Sequence, residues 1–519
     1  MMKKQLLALA LLCAPLATSQ AQMWDESGIE WKEKEMWDKA REHKVPEWFM
    51  DAKFGVYFHW GVYSFMGQGE WYSRHMYDSI PKGFGMNVRP HHIEKYGENV
   101  HYHHFFPFFT AEKFDAKDWA QLFKEAGFKF AGPVAEHCDN FSNWDSKVNR
   151  YNTVNYGPKR DIVGELEKAI KGEGLKFVTT FHHSWEWGWY NLWSGRIDNS
   201  DPEFRDFYGE YTPKETFNSF TSTHKHAASG QFYGEVKPQY APSRQFVDTW
   251  KHKIYEVVDR YEPDLLWFDS RLFLLPEEDR AEMVNYYYDQ AKKNNQEVVL
   301  TYKNLDLPVG TAVIDLEQGR MNDKTDYPWL TDSSYAWYGW SWKADLKNKT
   351  PDQIVDELID IISKNGCLIL GITPTSTGVI PAEQRNGMLE VGKWLKVNGE
   401  AVYGTRPFVV YGEGTTKLKE NNFGGVQARG VKFTDTDFRY TVKGDNLYVT
   451  QLAPSKAGSE YLLKVLAKSK KGAARNIESV TLLGSDEKIE WEHTAAGLKI
   501  KAAQKAPFTE AIVYKVKLK

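Results

Sequence analysis

Between residues 53 and 398, short apolar runs alternate with longer segments of helical spacing, and this rhythm restricts the chain to very few architectures. Apolar runs are read at 53–61, 128–135, 175–181, 265–268, 297–302, 311–316 and 367–372. Helical periodicity is read at 115–127, 161–172, 246–261, 277–294, 351–364 and 381–398. The sharpest case is Tyr261 to Arg271. A helix stops at Tyr261, Pro263 breaks it, and Leu265 to Phe268 leaves room only for a short strand with Asp269 at its exit. Continuous apolar strands suit a parallel sheet covered on both faces, and the span predicts a (β/α)8-type barrel. No glycine-rich phosphate loop follows the first run, which argues against an open nucleotide-binding sheet.

The rest of the chain sorts around that unit. Two inserts, 67–107 and 190–243, follow strand ends and are long enough to wall a site. Past Thr405-Arg406-Pro407 the texture changes to short alternating runs with turn residues such as Lys443-Gly444-Asp445-Asn446, which predicts an antiparallel β-sandwich over 406–519 with a structural role. At the other end Lys3 and Lys4, an apolar stretch from Leu6 to Leu12 and Ser19-Gln20-Ala21 form an export-signal pattern. Cleavage after residue 21 would leave 22–405 as the barrel and place the protein in the periplasm or outside the cell. Only Cys138 and Cys367 then remain, so no disulfide framework is expected. A formal charge of −4 with interspersed signs gives no basic patch for nucleic acid, and no later apolar segment is long enough to span a membrane.

Four run exits carry polar groups suited to chemistry: His59-Trp60, Glu136-His137, His182-His183 and Asp269. Parallel barrels gather such exits at one face. The 20 tryptophans suggest a sugar substrate, because indole faces pack on C–H surfaces while the N–H reaches a hydroxyl. No paired-Cys or His-Glu-x-x-His spacing is present, so neither a metal nor another cofactor is expected, and the histidines read as hydrogen-bond partners for hydroxyls. Glycoside hydrolysis needs one ionised and one protonated carboxyl group. Asp269 suits the first role; Glu70, Glu136, Glu186, Glu317 and Asp332 are open for the second.

From about Trp48 to Pro407 these pieces, in order, resemble glycoside hydrolase family 29, the α-L-fucosidases. They are Lys53-Phe54-Gly55-x-x-x-His59-Trp60-Gly61, Glu70-Trp71-Tyr72, His137-x-Asp139-x-Phe141-x-x-Trp144-Asp145-Ser146, Gly157-Pro158-Lys159-Arg160-Asp161, Pro263-Asp264-x-x-Trp267-Phe268-Asp269, Ser363-Lys364-Asn365-Gly366 and Gly378-x-Ile380-Pro381. The resemblance implies a retaining exo-glycosidase acting on fucosylated glycans, with Asp269 as nucleophile and His59, Glu70, Trp71 and His137 against the sugar. Trp60, Cys138, His183 and Trp329 complete the expected substrate contacts.

Departures from the family pattern bear on the chemistry. Cys138 stands where a second sugar-binding histidine is usual, and Asn140 where glycine is usual. Where many members place the acid in a Trp-Glu segment, Trp329 is followed by Leu330, which has no proton to give. Glu317 is the first choice for the acid/base, ahead of Asp332 and Glu136. An α-L-galactosidase or related L-sugar hydrolase, or a sugar-binding protein with weak or no hydrolysis, remains as an alternative, and the sequence leaves the oligomeric state open.

Overall fold

The computed structural model describes the chain except for residues 1–25, 27–28, 79–86, 198, 215, 217–221, 226–231, 421–424 and 469–475, so the export-signal expectation lies outside the described residues. Eight parallel strands close into a barrel: β1 Phe54–Phe58, β2 Phe130–Glu136, β3 Lys176–Phe181, β4 Leu265–Phe268, β5 Val299–Lys303, β6 Val313–Asp315, β7 Trp329–Ser334 and β8 Gly366–Ile372. Each pairs with its sequence neighbours, and β8 pairs back onto β1. The (β/α)8-type expectation is met in its sheet but only partly in its helices. Helices Ala116–Glu125, Ile162–Gly172, Arg244–Tyr261, Glu277–Lys293, Pro351–Ser363 and Ala382–Asn398 lie on the outside, whereas β5 to β6 and β6 to β7 are joined without an α-helix.

Strand parity decides what enters the barrel. Tyr57, Phe130, Val134, Val178, Leu265, Trp267, Val299, Val313, Leu330, Cys367 and Ile369 form one interior cluster, and most strands contribute alternate residues to it. Residues of opposite parity, such as Phe58, Phe181, Leu266 and Phe268, join the larger cluster between sheet and helices. In an all-buried strand both parities are apolar, so hydrophobicity alone does not separate the two faces.

The C-terminal part is built from a five-stranded antiparallel sheet (Arg406–Glu413, Phe438–Lys443, Asn446–Gln451, Ile512–Leu518, Ile477–Leu482) and a three-stranded one (Glu460–Leu463, Gly497–Lys501, Trp491–Thr494), which share a core of their own. It is anchored to helix Pro351–Ser363 through buried charge. Asp360 meets Arg439 Nε at 2.5 Å, Lys364 Nζ at 2.9 Å and Arg320 Nη1 at 3.3 Å. Although burial opposes ionisation of Asp360, Lys364, Arg439 and Arg320 together hold its carboxyl well below the usual range.

Candidate active site

All eight strands point their C-terminal ends the same way, so parity can be followed from the interior cluster up to the mouth. On β4 the inward series Leu265, Trp267 continues to Asp269. On β1 it runs from Tyr57 to His59, on β3 from Val178 to His182, on β5 from Val299 to Lys303, and on β6 from Val313 through Asp315 to Glu317. On β7, Leu330 below and Asp332 above take the same side. Strand β2 changes phase: its pairing with β3 is irregular between Val134 and Glu136. That irregularity turns Glu136 outward and delivers His137 to the mouth, a common use of a bulge beside a site.

The mouth is divided. On the β1–β3 side stand three buried imidazoles, with ring centroids 4.8 Å apart for His59–His182 and for His137–His182 and 5.4 Å for His59–His137. Burial depresses all three: His137 to about 3, His59 and His182 well below the ordinary value with help from neighbouring imidazoles and from Lys303. They are therefore uncharged donors and acceptors suited to hydroxyl groups.

On the β4–β7 side one ammonium gathers four carboxylates. Lys303 Nζ lies 3.1 Å from Glu317 Oε2, 3.3 Å from Asp332 Oδ2, 3.4 Å from Asp269 Oδ1 and 3.8 Å from Asp315 Oδ2. It also sits 4.9 Å from the centre of the Trp267 ring. Burial alone would lower the Lys303 pKa, but Asp332, Glu317, Asp269 and Asp315 outweigh it and hold the ammonium well above its ordinary range. Enclosure raises Glu317 to about 7; Lys303 opposes this rise, while Asp332 and Asp269 add to it. Asp269 is also raised by burial, against the pull of Lys303 and of a backbone hydrogen bond from Ser270. Asp315, the most enclosed, is pushed well above the carboxylate range by burial and then by Asp332.

Around this floor stands an aromatic wall. Trp71 meets Trp189 at 4.9 Å and Trp185 at 5.6 Å, and the Arg271 guanidinium lies 4.5 Å above the Trp185 ring. Arg271 has a left-handed backbone (φ 82°) two residues after Asp269. Such a conformation is unfavourable for a side chain of this size and is commonly retained at sites. Glu70 is buried and accepts from Ser341 N and Ser341 Oγ at 3.2 Å and from Trp340 N at 3.4 Å, so it fixes the loop whose Trp340 ring faces His59 at 5.7 Å. Cys138 lies with Sγ 3.8 Å from His137 Nε2, and burial together with Asp269 and Asp139 keeps its thiol protonated. Asn140 has φ 60°, a left-handed conformation that asparagine tolerates nearly as well as glycine, which accounts for the exchange at that position.

Three expected contacts fall elsewhere. His183 has the wrong parity: its Nε2 is 3.1 Å from Trp250 O and its ring stacks on Trp250, while His182 takes the inward place. Trp60 donates to Thr375 O at 2.7 Å and packs on Phe109, Phe114 and Trp119 behind the sheet. Trp329 opens β7 at the end remote from the mouth and donates to Lys364 O at 3.0 Å. Of the carboxyls considered as acid, Glu136 is bound to Lys253 and Ser142 outside the barrel; burial pushes it up most strongly, but Lys253, Glu186 and His183 together outweigh this and bring it down to about 2. Glu317 and Asp332 face Asp269 across Lys303. Sequence reasoning names His182 only within the exit pair His182-His183 and chooses His183, and it does not single out Lys303, Asp315, Trp185, Arg271 or Trp340 as site residues, although parity counted from Val178, Val299 and Val313 points to His182, Lys303 and Asp315.

The α-L-fucosidase family model matches residues 20–400. The chain belongs to the α-L-fucosidase family. The tissue α-L-fucosidase of Rattus norvegicus is 28% identical over 386 residues, covering 73% of this chain and 74% of that one. The human tissue enzyme is 28% identical over 401 residues, covering 73% and 74%. Among solved structures, a Thermotoga maritima α-fucosidase in complex with fucose superposes with a TM-score of 0.70 at 25% identity, covering 92% of this chain and 99% of that chain.

In this fucosidase the loop carrying Glu317 is held by the C-terminal part. Gln318 has φ 47°, its N donates to Asp332 O at 2.8 Å, and its Oε1 accepts from Arg429 Nη2 at 2.6 Å. Arg320 and Val426 exchange backbone hydrogen bonds of 2.7 Å in both directions. Gly425 permits the approach, since a Cβ there would stand 2.0 Å from Arg320 O.

Proposed function

We propose that Asp269 and Glu317 carry out the reaction of this retaining α-L-fucosidase, as nucleophile and acid/base respectively, on fucosylated glycans. The observation that carries the reading is the shared ammonium. Oxygens of Asp269 and Glu317 lie 3.4 Å and 3.1 Å from the same Lys303 nitrogen, so those two oxygens are within about 6.5 Å of each other. Retaining pairs stand about 5–5.5 Å apart, and inverting pairs need about 6.5–9.5 Å to admit water between them.

In the first step Asp269 attacks the anomeric carbon while Glu317, enclosed and pushed up to about 7, gives its proton to the departing glycosidic oxygen. The products are a fucosyl ester on Asp269 and the leaving alcohol. In the second step Glu317 takes a proton from water, the resulting oxygen attacks the same carbon, and the Asp269 carboxylate departs. His59, His137 and His182 bind hydroxyls as neutral partners, and Lys303 offsets the charge that passes between the two carboxyls. Cys138, a weaker partner than the imidazole usual there, leaves one hydroxyl contact weaker. The N-terminal signal pattern supports export to the periplasm or beyond.

Glu317→Gln tests the assignment. Turnover of a fucoside with a poor leaving group should fall by about 10²–10⁴ in kcat, the usual worth of a positioned acid, while an activated aryl fucoside is spared in its first step. Equal losses on both substrates would move the acid role to Asp332.

A further inference from the structure

The three imidazoles of the mouth have a second chemical capacity. One ring nitrogen from each of His59, His137 and His182 lies within 4.8 Å of the other two, and the Nε2 atoms of His59 and His182 are only 3.2 Å apart. Nitrogens bound about 2.0–2.1 Å from a tetrahedral zinc are separated by about 3.3 Å, so the His59–His182 edge already has the required length. Full coordination requires the His137 nitrogen to approach the other two more closely than the 4.8 Å that bounds the set. The three residues come from the ends of three different strands, so no linear spacing reveals them. On these grounds we propose that His59, His137 and His182 form a reversible binding site for a late first-row divalent cation such as Zn²⁺ or Co²⁺, which competes with the sugar and inhibits the enzyme. The inhibitory part of this inference rests on the fucosidase reading of the same pocket; the coordination does not.

The donor set selects the class of ion. Imidazole nitrogen suits zinc, copper, cobalt and nickel, and it is a poor match for magnesium or calcium, which take oxygen ligands. The surroundings make the site weak. A histidine that holds a resident metal usually gives its other ring nitrogen to a carboxylate or carbonyl, but the buried Nδ1 atoms of His59, His137 and His182 have no hydrogen-bond partner among the described residues. Lacking that outer support costs about 10–100-fold in affinity. The Lys303 ammonium, close enough to act on His59 and His182, adds repulsion. Coordination uses one lone pair from each ring and needs no redox partner. The same nitrogens are those offered to sugar hydroxyls, so metal and sugar exclude each other.

The test is a Co²⁺ titration of the full chain after treatment with a chelator, read by visible absorption. The proposal expects one equivalent to produce the intense bands of low-coordinate cobalt, His182→Asn to lose them, and saturating L-fucose to bleach them. In parallel, Zn²⁺ should raise the apparent KM for an aryl α-L-fucoside several-fold at constant kcat, with full reversal by EDTA. A spectrum no stronger than that of the hydrated ion overturns the site, and so does a band retained in a folded His182→Asn variant. If that variant does not fold, the wild-type titration alone decides. Bands that depend on His182 but are indifferent to L-fucose support the metal site and instead count against the sugar-binding role of these histidines.

Discussion

Replacing Lys303 by Met removes the ammonium at the centre of four carboxylates while keeping an apolar stem of similar length over Trp267. The Lys303 side chain is 6% exposed and that of Asp269 is 17% exposed, so solvent screens the contact little. At the 3.1 Å and 3.4 Å of these contacts, two unit charges at an effective dielectric of 20 interact by about 5 kcal/mol, equivalent to a ceiling of about 4 pH units. Opposite charges at this range typically shift a carboxyl by about 1–3 units. Lys303 pulls down both Asp269, which must be ionised, and Glu317, which must be protonated. Its loss raises both, so the bell-shaped profile of kcat/KM against pH should move to higher pH by about 1–3 units rather than collapse. On the rising acid limb this amounts to about 10- to 1000-fold lower kcat/KM at fixed pH. Near neutral pH the variant also leaves buried carboxylates without their cation, which costs about 3–5 kcal/mol in a urea titration. A profile that coincides with wild type, or one that narrows because only one limb moves, would refute the shared-ammonium account.

In the wild type, the alkaline limb of kcat/KM should lie near pH 7, because Glu317 is raised to about 7 and must carry its proton in the first step; Glu317→Gln should abolish that limb, measured with a poor leaving group. Arg429→Ala removes the 2.6 Å support of Gln318 and should lower kcat by about tenfold on poor leaving groups and little on activated ones, with partial recovery in Arg429→Lys. Equal losses on both would show a purely structural role for Arg429. At the domain junction Asp360 is depressed in the folded state, so its contribution to stability is present above its unfolded value near 4 and is lost as pH falls below that. Arg439→Met should therefore lower the urea midpoint at pH 7, and its difference from wild type should shrink at pH 3.

Seven of the eight barrel strands are legible as apolar runs, and the exception shows why. Strand β7 reads Trp329-Leu330-Thr331-Asp332-Ser333-Ser334, and its upper half is polar because those side chains meet Lys303 on one face and Glu357 on the other. A strand that feeds the site lacks the pattern that announces a strand. The missing helices before and after β6 leave no signal except the absence of helical spacing, which a long loop mimics. Asp269, His59, Glu70 and His137 can be found because their motifs are local. Sequence reasoning favours His183 over His182 because adjacent histidines differ only in parity, and parity needs an anchor such as Val178. The irregularity in β2 that turns Glu136 away arises from pairing with β3, which no single strand encodes. Lys303 escapes notice since a lysine at a strand end ordinarily reads as solvated. The tryptophans serve two ends, Trp71 and Trp185 walling the mouth while Trp60 and Trp329 fill space behind and beneath it.

The central claim is that the oxygen of Asp269 becomes bonded to the anomeric carbon of the sugar. The direct measurement is to trap the enzyme with a 2-deoxy-2-fluoro-L-fucosyl fluoride, whose second step is slowed, then digest it and sequence the labelled peptide by mass spectrometry. We predict a single fluorofucosyl adduct on Asp269, within the peptide that contains Trp267 and Phe268, and no adduct in Asp269→Ala. An adduct on Glu317, Asp332 or Asp315, or turnover of the reagent with no adduct at all, would contradict the assignment.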